Sequence, residues 1–271
     1  MKYLLTDSVK HLNIPSIRTE RKIFPDGELY IKIMDNIRNK QITIISNITP
    51  TNLLEVLFVV DAVKRAGGKI EELIIPYISY ARQSIINNYG ESVSGGVVCS
   101  ILSNLKVPIR IYDIHDESLK GYLNFKNETI LLELIKELPK KNFIVISPDK
   151  GGFKRASKIA KILKTEVLMI NKKRKDEKVF MAFSKNLSGK NILIVDDMIS
   201  TGATLVNAFK ILKKNNAGDV YCIATHGLFT KNAKEKIKKV GIKKIIVSNT
   251  LPIKPFGQVK VIKIEKILVN K

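Results

Sequence analysis

The sequence predicts an α/β protein of two similar domains, each with a central, mostly parallel sheet flanked by helices. Short apolar runs typical of buried strands alternate along the 271 residues with longer apolar-periodic helices. The order strand, polar loop, helix, glycine, strand occurs twice, from Ile42 to Ile75 and from Ile192 to Ala224. A polar break after Pro139 indicates domains at 1–139 and 140–271, each of ordinary domain size.

Composition narrows the class of protein. No apolar run approaches the ~20 residues that span a bilayer, and the N-terminal run is too short for a signal peptide. We therefore expect a cytoplasmic protein with no membrane partner. The two cysteines, Cys99 and Cys222, stand alone in apolar surroundings, which indicates neither a metal site nor a disulfide.

The formal net charge of +22 raises nucleic acid as a partner. The lysines are densest in Lys136–Lys178 and Lys231–Lys266, and they lack the interleaved aromatic residues of a stacking platform. The pattern favours a solvated, lysine-rich surface over nucleic-acid binding. Such a surface would also steer phosphorylated substrates toward a cleft.

In the first domain the apolar patterns predict helices that alternate with strands. The helices are Leu53–Ala66 and Val97–Leu105, and the strands are Tyr3–Leu5, Leu29–Ile33, Ile42–Ile45, Leu73–Ile75 and Ile109–Tyr112. Arg82 and Gln83 follow the strand that ends at Ile75, where open α/β sheets bind ligands. Arginine there could pair with phosphate or stack on a purine, or simply be solvated.

His115 follows the strand Ile109–Tyr112 and has Asp113 and Asp116 as near neighbours. The residues alone leave a metal ligand and a hydrogen-bonded structural histidine equally open. A helix from Thr129 to Leu138, stopped by Pro139, completes the domain.

The second domain repeats the pattern. We expect strands at Phe143–Ser147, Val167–Ile170, Ile192–Val195, Val220–Thr225 and Lys244–Ser248, helices that end near Leu163 and begin near Lys231, and an apolar tail at Val259–Val269. Gly151 and Gly152 indicate a strand-to-helix turn that Asp149 could cap. The charged run Asn171–Lys178 is typical of a solvated, mobile loop.

The stretch from Ile192 to Phe209 has the strongest functional pattern. Two carboxylates, Asp196 and Asp197, end an apolar strand, and the small-residue loop Ser200–Thr204 precedes an apolar-periodic helix. Unpaired amides at a helix start, the helix dipole and hydroxyl side chains form an anion site. Carboxylates suit sugar hydroxyls or hydrated Mg²⁺. A sugar phosphate fits this pattern better than a merely capped helix.

VDDMISTGAT, residues 195–204, closely resembles the phosphoribosyl diphosphate (PRPP) loop shared by type I phosphoribosyltransferases and PRPP synthetases. Ala203 stands where that loop has its second glycine, which raises the question of whether position 203 needs a positive φ. The loop alone does not separate an enzyme that makes PRPP from one that uses it.

Further segments resemble PRPP synthetases, the ribose-phosphate diphosphokinases, in order along nearly the whole chain. They are FPDGE at 24–28, PYISYARQ at 76–83, D-x-H at 113–115, SPDKGGFKRA at 147–156, K-x-R at 172–174 and ATHGLF at 224–229. The chain departs from the family just after Gln83. Ser84 replaces the usual aspartate, and Ile85–Ser94 replaces a basic stretch.

The resemblance implies transfer of the β,γ-diphosphoryl group of Mg²⁺–ATP to the 1-hydroxyl of ribose 5-phosphate, with AMP and PRPP as products. It implies a homo-oligomer whose ATP site lies at a subunit boundary. It assigns Lys172 and Arg174 to catalysis and His115 and Asp149 to the metal. The ATP residues would be Phe24, Asp26, Glu28, Arg82, Gln83 and His115, and the ribose 5-phosphate residues Asp196, Asp197, Ser200, Thr201, Gly202, Ala203 and Thr204.

Two other functions stay open on the sequence. A PRPP-consuming phosphoribosyltransferase, or a regulator on that fold, would keep the Asp196–Thr204 loop without needing FPDGE or ARQ. A catalytically silent synthetase subunit would keep the fold and usually lose the cations at Lys172 and Arg174, which are present here.

Overall fold

The computed structural model describes residues 2–175, 178–182 and 186–269, with the backbone alone for 171–175 and 178–182. The chain forms two compact units, Met1–Thr129 with Glu265–Lys271, and Ile130–Ile264. In the described ranges, no helix is both long and apolar enough to cross a bilayer.

The first unit is built on a five-stranded parallel sheet in the order β1-β4-β5-β6-β7. Its elements are β1 (Lys2–Leu5), β2 (Thr19–Ile23), β3 (Leu29–Ile33), β4 (Gln41–Ile45), α1 (Leu53–Arg65), β5 (Lys69–Ile75), α2 (Ser94–Ser103), β6 (Ile109–Tyr112) and β7 (Lys126–Glu128). Helix α1 is apolar on most sides and buries Val56, Val59, Val60 and Val63 in the core. It ends before Gly67, whose φ of +75° suits a helix terminus.

Strands β2 and β3 form an antiparallel hairpin outside the parallel sheet, and the FPDGE segment is its turn. The sequence predicted β3 and allowed a hairpin corner, but it did not predict β2. The residues of β2, TERKI, are mostly charged and exposed, so no apolar alternation marks them as a strand.

The second unit has a six-stranded parallel sheet in the order β15-β14-β13-β12-β8-β9 and a separate hairpin, β10-β11. Its elements are α3 (Leu131–Leu134), β8 (Phe143–Ser147), α4 (Phe153–Ile162), β9 (Val167–Met169), β10 (Asn171–Lys175), β11 (Lys178–Ala182), β12 (Asn191–Ile199), α5 (Ala203–Lys214), β13 (Val220–Gly227), α6 (Ala233–Lys238), β14 (Lys244–Ser248) and β15 (Val259–Ile262). Its core includes Ile146, Ile194, Leu212 and Cys222.

The predicted α/β class with two similar parallel-sheet domains is confirmed. The run β1-β4-β5-β6-β7 in the first sheet has the same spatial order as β8-β12-β13-β14-β15 in the second, which adds β9 outside β8. The helix that follows β4 is α1, and the helix that follows β12 is α5, so the predicted repeat of strand, loop, helix and strand is present in both units.

Two local expectations were wrong. Asp196 and Asp197 do not end their strand, because β12 continues to Ile199 and pairs with β13 as far as Gly227. Five residues of the charged run, Asn171–Lys175, form a strand, where a loop was expected. Backbone pairing with β11 outweighs their weak strand preference.

The compact units do not divide at the predicted domain boundary, between residues 139 and 140. The second unit begins at Ile130, and the C-terminal residues from Glu265 belong to the first unit. Leu131 and Leu134 of α3 are buried in the second unit, and Glu137 just after α3 pairs with Lys260 of β15. The C-terminal helix, α7 (Glu265–Val269), belongs to the first unit, where the Tyr3 hydroxyl donates to the Val269 carbonyl.

Candidate functional site

The loop between β12 and α5 has the form of an anion site. Gly202 precedes α5 with a φ of +72°, a conformation that L side chains rarely adopt. The first α5 amide bonded within the helix is that of Val206, which donates to the Gly202 carbonyl at 2.9 Å. The preceding amides lie in the first turn, where a helix has no carbonyl of its own to bond and attracts negative charge.

Position 203 does not need the positive φ that a glycine would allow. Ala203 is the first residue of α5 and is absent from the non-glycine residues with positive φ in the described ranges. Only Gly202 therefore needs the conformational freedom of glycine in this loop, and alanine at 203 keeps the loop geometry.

The two carboxylates of β12 lie in different surroundings. Asp197 is almost completely buried, with 2% of its side chain exposed, whereas 23% of the Asp196 side chain is exposed. The Asp196 carboxylate accepts a hydrogen bond from the Asp197 amide at 2.9 Å. Burial and repulsion from Asp197 raise the pKa of Asp196 well above its usual range. Because more of its side chain is exposed, Asp196 is the more accessible of the two carboxylates for a ligand hydroxyl.

Arg155 supplies the positive charge beside this pair. Its Nη1 atom lies 3.2 Å from Oδ1 of Asp197 and 3.9 Å from Oδ1 of Asp196. Arg155 lies within SPDKGGFKRA but was not among the predicted site residues. The sequence signal for it was weak, because Lys154 and Arg155 both lie in the first turn of α4, where the helix dipole only modestly disfavours positive charge.

Asp149 lies in the turn between β8 and α4, in the same unit. Its Oδ1 atom accepts from the Gly152 amide at 3.0 Å, and the Ser147 hydroxyl donates to its carbonyl at 2.7 Å. A Cβ on Gly152 would lie 3.0 Å from Ser147 Oγ and 3.7 Å from Arg155 Nη1. A side chain at position 152 would therefore crowd the Ser147 hydroxyl, in the turn that contains Asp149 and lies next to Arg155.

The segment just after β13 contacts the loop between β12 and α5. The Thr230 amide donates to the Ser200 carbonyl at 3.0 Å, and the two hydroxyls lie 3.2 Å apart. Thr230 was not among the predicted site residues. No local pattern marks it, since its relation to Ser200 arises from two neighbouring parallel strands.

The corresponding loop of the first unit, between β4 and α1, is occupied by its own side chains. Asn52 Oδ1 accepts from the Thr49 amide at 2.6 Å, and Asn52 Nδ2 donates to the Asn47 carbonyl at 2.6 Å. The buried carboxylate of Glu55 lies in the first turn of α1 and accepts from the Asp7 amide. These contacts satisfy donors that a phosphate would use, which supports the expectation that the first copy does not bind a sugar phosphate.

The predicted ATP residues all lie in the first unit, on three separate segments. Phe24, Asp26 and Glu28 form the β2-β3 turn, in which Asp26 Oδ1 accepts from the Glu28 amide at 3.1 Å. Gly27 has a φ of +93° there. The Phe24 ring is 47% exposed and packs edge-on against the Tyr30 ring, with centroids 6.1 Å apart. The exposed aromatic face is suited to a planar ligand.

The other two segments meet each other. Arg82 and Gln83 are exposed on the loop after β5, and His115 is exposed on the turn after β6. The next residue on each segment makes the contact, because Ser84 Oγ donates to Asp116 Oδ2 at 2.5 Å. Burial raises the pKa of Asp116, but hydrogen bonds from Ser84 and Ser118 and the nearby His115 outweigh it, and the pKa is lowered overall.

The predicted catalytic residues have no described side-chain geometry, and the predicted metal residues do not belong to a described metal cluster. Lys172 and Arg174 lie on β10, whose side chains are outside the described part of the chain. Within the described residues, no group of three or more His, Cys, Asp or Glu side chains forms a metal site. Asp149 offers the carboxylate oxygens that Mg²⁺ prefers, and Mg²⁺ needs only one or two carboxylates when waters and substrate phosphates complete its shell.

The two parallel-sheet units and the glycine loop before α5 define a protein of the phosphoribosyltransferase class. Residues 120–257 match the phosphoribosyl transferase domain, and residues 2–105 match the N-terminal domain of ribose phosphate pyrophosphokinase. The chain belongs to the ribose-phosphate pyrophosphokinase family.

Individual relatives agree along nearly the full length. The chain is 36% identical to a ribose-phosphate pyrophosphokinase of Mycoplasma genitalium, with 96% of this chain and 83% of the relative covered. It is 32% identical to the Pyrococcus abyssi protein of the same name, with 93% and 90% covered. A crystal structure of phosphoribosylpyrophosphate synthetase from Mycobacterium smegmatis superposes with a TM-score of 0.86 at 27% identity, and covers 100% of this chain and 97% of that chain.

Proposed function

We propose that this protein is a ribose-phosphate diphosphokinase, which transfers the β,γ-diphosphoryl group of Mg²⁺–ATP to the 1-hydroxyl of ribose 5-phosphate. The observation that carries the proposal is the presence of both family domains in one chain. A simple PRPP-consuming transferase needs the loop before α5 but has no need of an N-terminal domain of this kind. Relatives that match 96% and 93% of this chain carry this name.

The reaction is a displacement at phosphorus. The 1-hydroxyl oxygen of the sugar forms a bond to the β-phosphorus of ATP, and the bond from that phosphorus to the α,β-bridging oxygen breaks. AMP leaves with the bridging oxygen, and the hydroxyl proton is released. Little covalent help is needed, so positioning and compensation of charge supply most of the catalysis.

In the second unit, the proposal assigns the 5-phosphate to Ser200–Thr204 and the ribose hydroxyls to Asp196 and Asp197. The α5 amides and the hydroxyls of Thr201 and Thr204 are the donors that a phosphate needs. Asp197 is held by Arg155, so direct contact with the sugar falls mainly to Asp196. Arg155 would keep the buried carboxylate in place.

In the first unit, Phe24 would stack on the adenine while Asp26 and Glu28 contact the nucleotide, and Arg82, Gln83 and His115 would contact its phosphates and polar edges. Mg²⁺, when bound, would compensate phosphate charge during the transfer. Asp149 would hold the metal through oxygen, and His115 would hold the nucleotide-bound metal or its phosphates. Lys172 and Arg174 would stabilise the transferring diphosphoryl group.

Exposed apolar side chains support the proposed homo-oligomer with its ATP site at a subunit boundary. Ile23, Phe24 and Tyr30 of the β2-β3 hairpin are 61%, 47% and 37% exposed, and Leu54 and Phe58 of α1 are 61% and 40% exposed. Exposed apolar groups on neighbouring elements are typical of protein interfaces. A second copy seated there would cover the hairpin that carries FPDGE.

AMP formation from Mg²⁺–ATP, with and without ribose 5-phosphate, tests the proposal. We expect AMP and PRPP in equal amounts, and only when the sugar is present. Asp196→Asn should lower sugar-dependent AMP formation strongly, while the same change at the surface residue Asp219, Asp219→Asn, serves as a matched control. No AMP at saturating Mg²⁺–ATP and ribose 5-phosphate would refute the assignment.

A further inference from the structure

A hydrogen bond ties the loop of Arg82 and Gln83 to the turn of His115. Ser84 Oγ donates to Asp116 Oδ2 at 2.5 Å across 32 positions of sequence. The other carboxylate oxygen, Oδ1, accepts from the Ser118 amide at 2.9 Å. Each oxygen of Asp116 therefore has a defined donor. Hydrogen bonds to an ionised acceptor are short and roughly twice as strong as neutral ones.

A second contact fixes the same loop at the start of α2. The Gly95 amide donates to the Gln83 carbonyl at 3.0 Å, and the Gln83 amide donates to the Tyr80 carbonyl at 2.8 Å. A Cβ on Gly95 would lie 2.8 Å from the Tyr80 oxygen and 3.2 Å from Leu119 Cδ2. Leu119 is fully buried in the turn that Asp116 caps. The loop, the start of α2 and the His115 turn thus pack together at one place.

We propose that Ser84 and Asp116 are positioning residues that hold Arg82 and Gln83 in a fixed relation to His115. The inference rests on the proposed function, which assigns those three residues to the nucleotide. Without the Ser84 hydroxyl, the nucleotide has to order this loop as it binds. That ordering cost weakens nucleotide binding. The sugar phosphate binds in the other unit and is not affected.

Steady-state kinetics separate this role from a general structural one. Ser84→Ala should raise the KM for ATP about tenfold, the effect of losing a hydrogen bond to a charged group. The kcat and the KM for ribose 5-phosphate should stay unchanged. Ser84→Thr, which keeps a hydroxyl, should behave nearly as the unaltered protein. An unchanged KM for ATP in an active Ser84→Ala enzyme would overturn the proposal.

An exchange variant tests the contact itself. Ser84→Asp combined with Asp116→Ser reverses donor and acceptor and leaves serine, a good cap, before Ser118. We expect Ser84→Asp alone to be worse than Ser84→Ala, because two carboxylates would face each other. The exchange should restore the KM for ATP. An exchange variant no better than Ser84→Asp would contradict the direct contact.

Hydrogen exchange of the protein without substrate gives a readout that does not need activity. The amides of Gln83 and Gly95 should exchange faster in Ser84→Ala and recover protection in the exchange variant. Unchanged protection in Ser84→Ala would refute the proposal that the hydrogen bond from Ser84 to Asp116 orders this loop. A complete lack of AMP formation by the unaltered protein would instead refute the proposed function, so the two failures are distinguishable.

Discussion

Arg155 Nη1 lies 3.2 Å from Oδ1 of Asp197, whose carboxylate is buried within β12 in the central sheet of the second unit. The contact offsets the unfavourable position of Arg155 in the first turn of α4, where the helix dipole disfavours positive charge. It also explains how two adjacent aspartates can lie near the loop Ser200–Thr204, which we propose binds a phosphate. The guanidinium lies nearer to the buried Asp197 carboxylate than to Asp196, which is the more exposed of the two.

Removal of Arg155 should therefore destabilise the protein. Arg155→Met leaves the Asp197 carboxylate buried without its cation, which typically costs about 3–5 kcal/mol. Thermal and urea unfolding measure the loss, and the exposed neighbour Lys154→Met is the matched control. The double variant with Asp197→Asn should recover part of the stability. Equal stability of Arg155→Met and Lys154→Met would show that the contact between Arg155 and Asp197 does not stabilise the fold.

Gly202→Ala should be more damaging than Ala203→Gly, although the two positions are adjacent in the loop. Gly202→Ala forces alanine to a φ of +72° and places its Cβ 3.4 Å from Ile237 Cδ1, so we expect a loss of about 1–2 kcal/mol and weaker ribose 5-phosphate binding. Ala203→Gly changes only a residue that is already helical and should cost at most about 1 kcal/mol.

Calorimetric titration with ribose 5-phosphate measures both loop variants. If Ala203→Gly weakened binding more than Gly202→Ala, the assigned loop geometry would be wrong.

The cysteines should be unreactive in the folded protein. Cys99 is buried, and desolvation raises the pKa of its thiol from 9.0 to about 11. Burial raises the pKa of Cys222 as well. Neither thiol should react with iodoacetamide at pH 8 until denaturant is added.

The raised pKa of Cys99 also predicts how the free energy of unfolding changes with pH. Because the folded pKa of Cys99 exceeds the unfolded value, its contribution is complete below pH 9.0 and is lost as the pH rises toward 11. Urea unfolding along this pH range measures the loss. Rapid alkylation of Cys99 at pH 8 without denaturant would contradict the burial.

Lys172 should affect turnover more than binding. If it stabilises the transferring group, Lys172→Ala should lower kcat by about two orders of magnitude or more, with little change in either KM. Lys173→Ala, the adjacent residue on β10, is the control. A rise in KM alone would make Lys172 a binding residue and reject its catalytic role.

Much of the fold follows from apolar pattern. The parallel strands Ile42–Ile45 and Ile192–Val195 were predicted because buried strands read as short apolar runs. Strands β2 and β10 were not predicted, since their residues are mostly charged and form strands through backbone pairing with β3 and β11. The continuation of β12 past Asp196 has the same cause, because β13 pairs with it to the end.

The site was predictable where its residues are contiguous. The loop Ser200–Thr204 and the adjacent carboxylates form one pattern in sequence. Arg155 and Thr230 were missed because their partners lie on other strands or helices, at positions that no local pattern specifies. The contact of Ser84 with Asp116 likewise spans two loops. The roles of the predicted ATP, metal and catalytic residues stay predictions.

The most direct test of the account follows a label placed at the β-phosphorus of ATP. The protein, Mg²⁺, labelled ATP and ribose 5-phosphate are mixed, and the products are separated by chromatography. Transfer of a diphosphoryl group predicts that the label appears in the sugar product and that AMP is unlabelled. Label retained in ADP, or in ATP alone, would contradict a diphosphokinase.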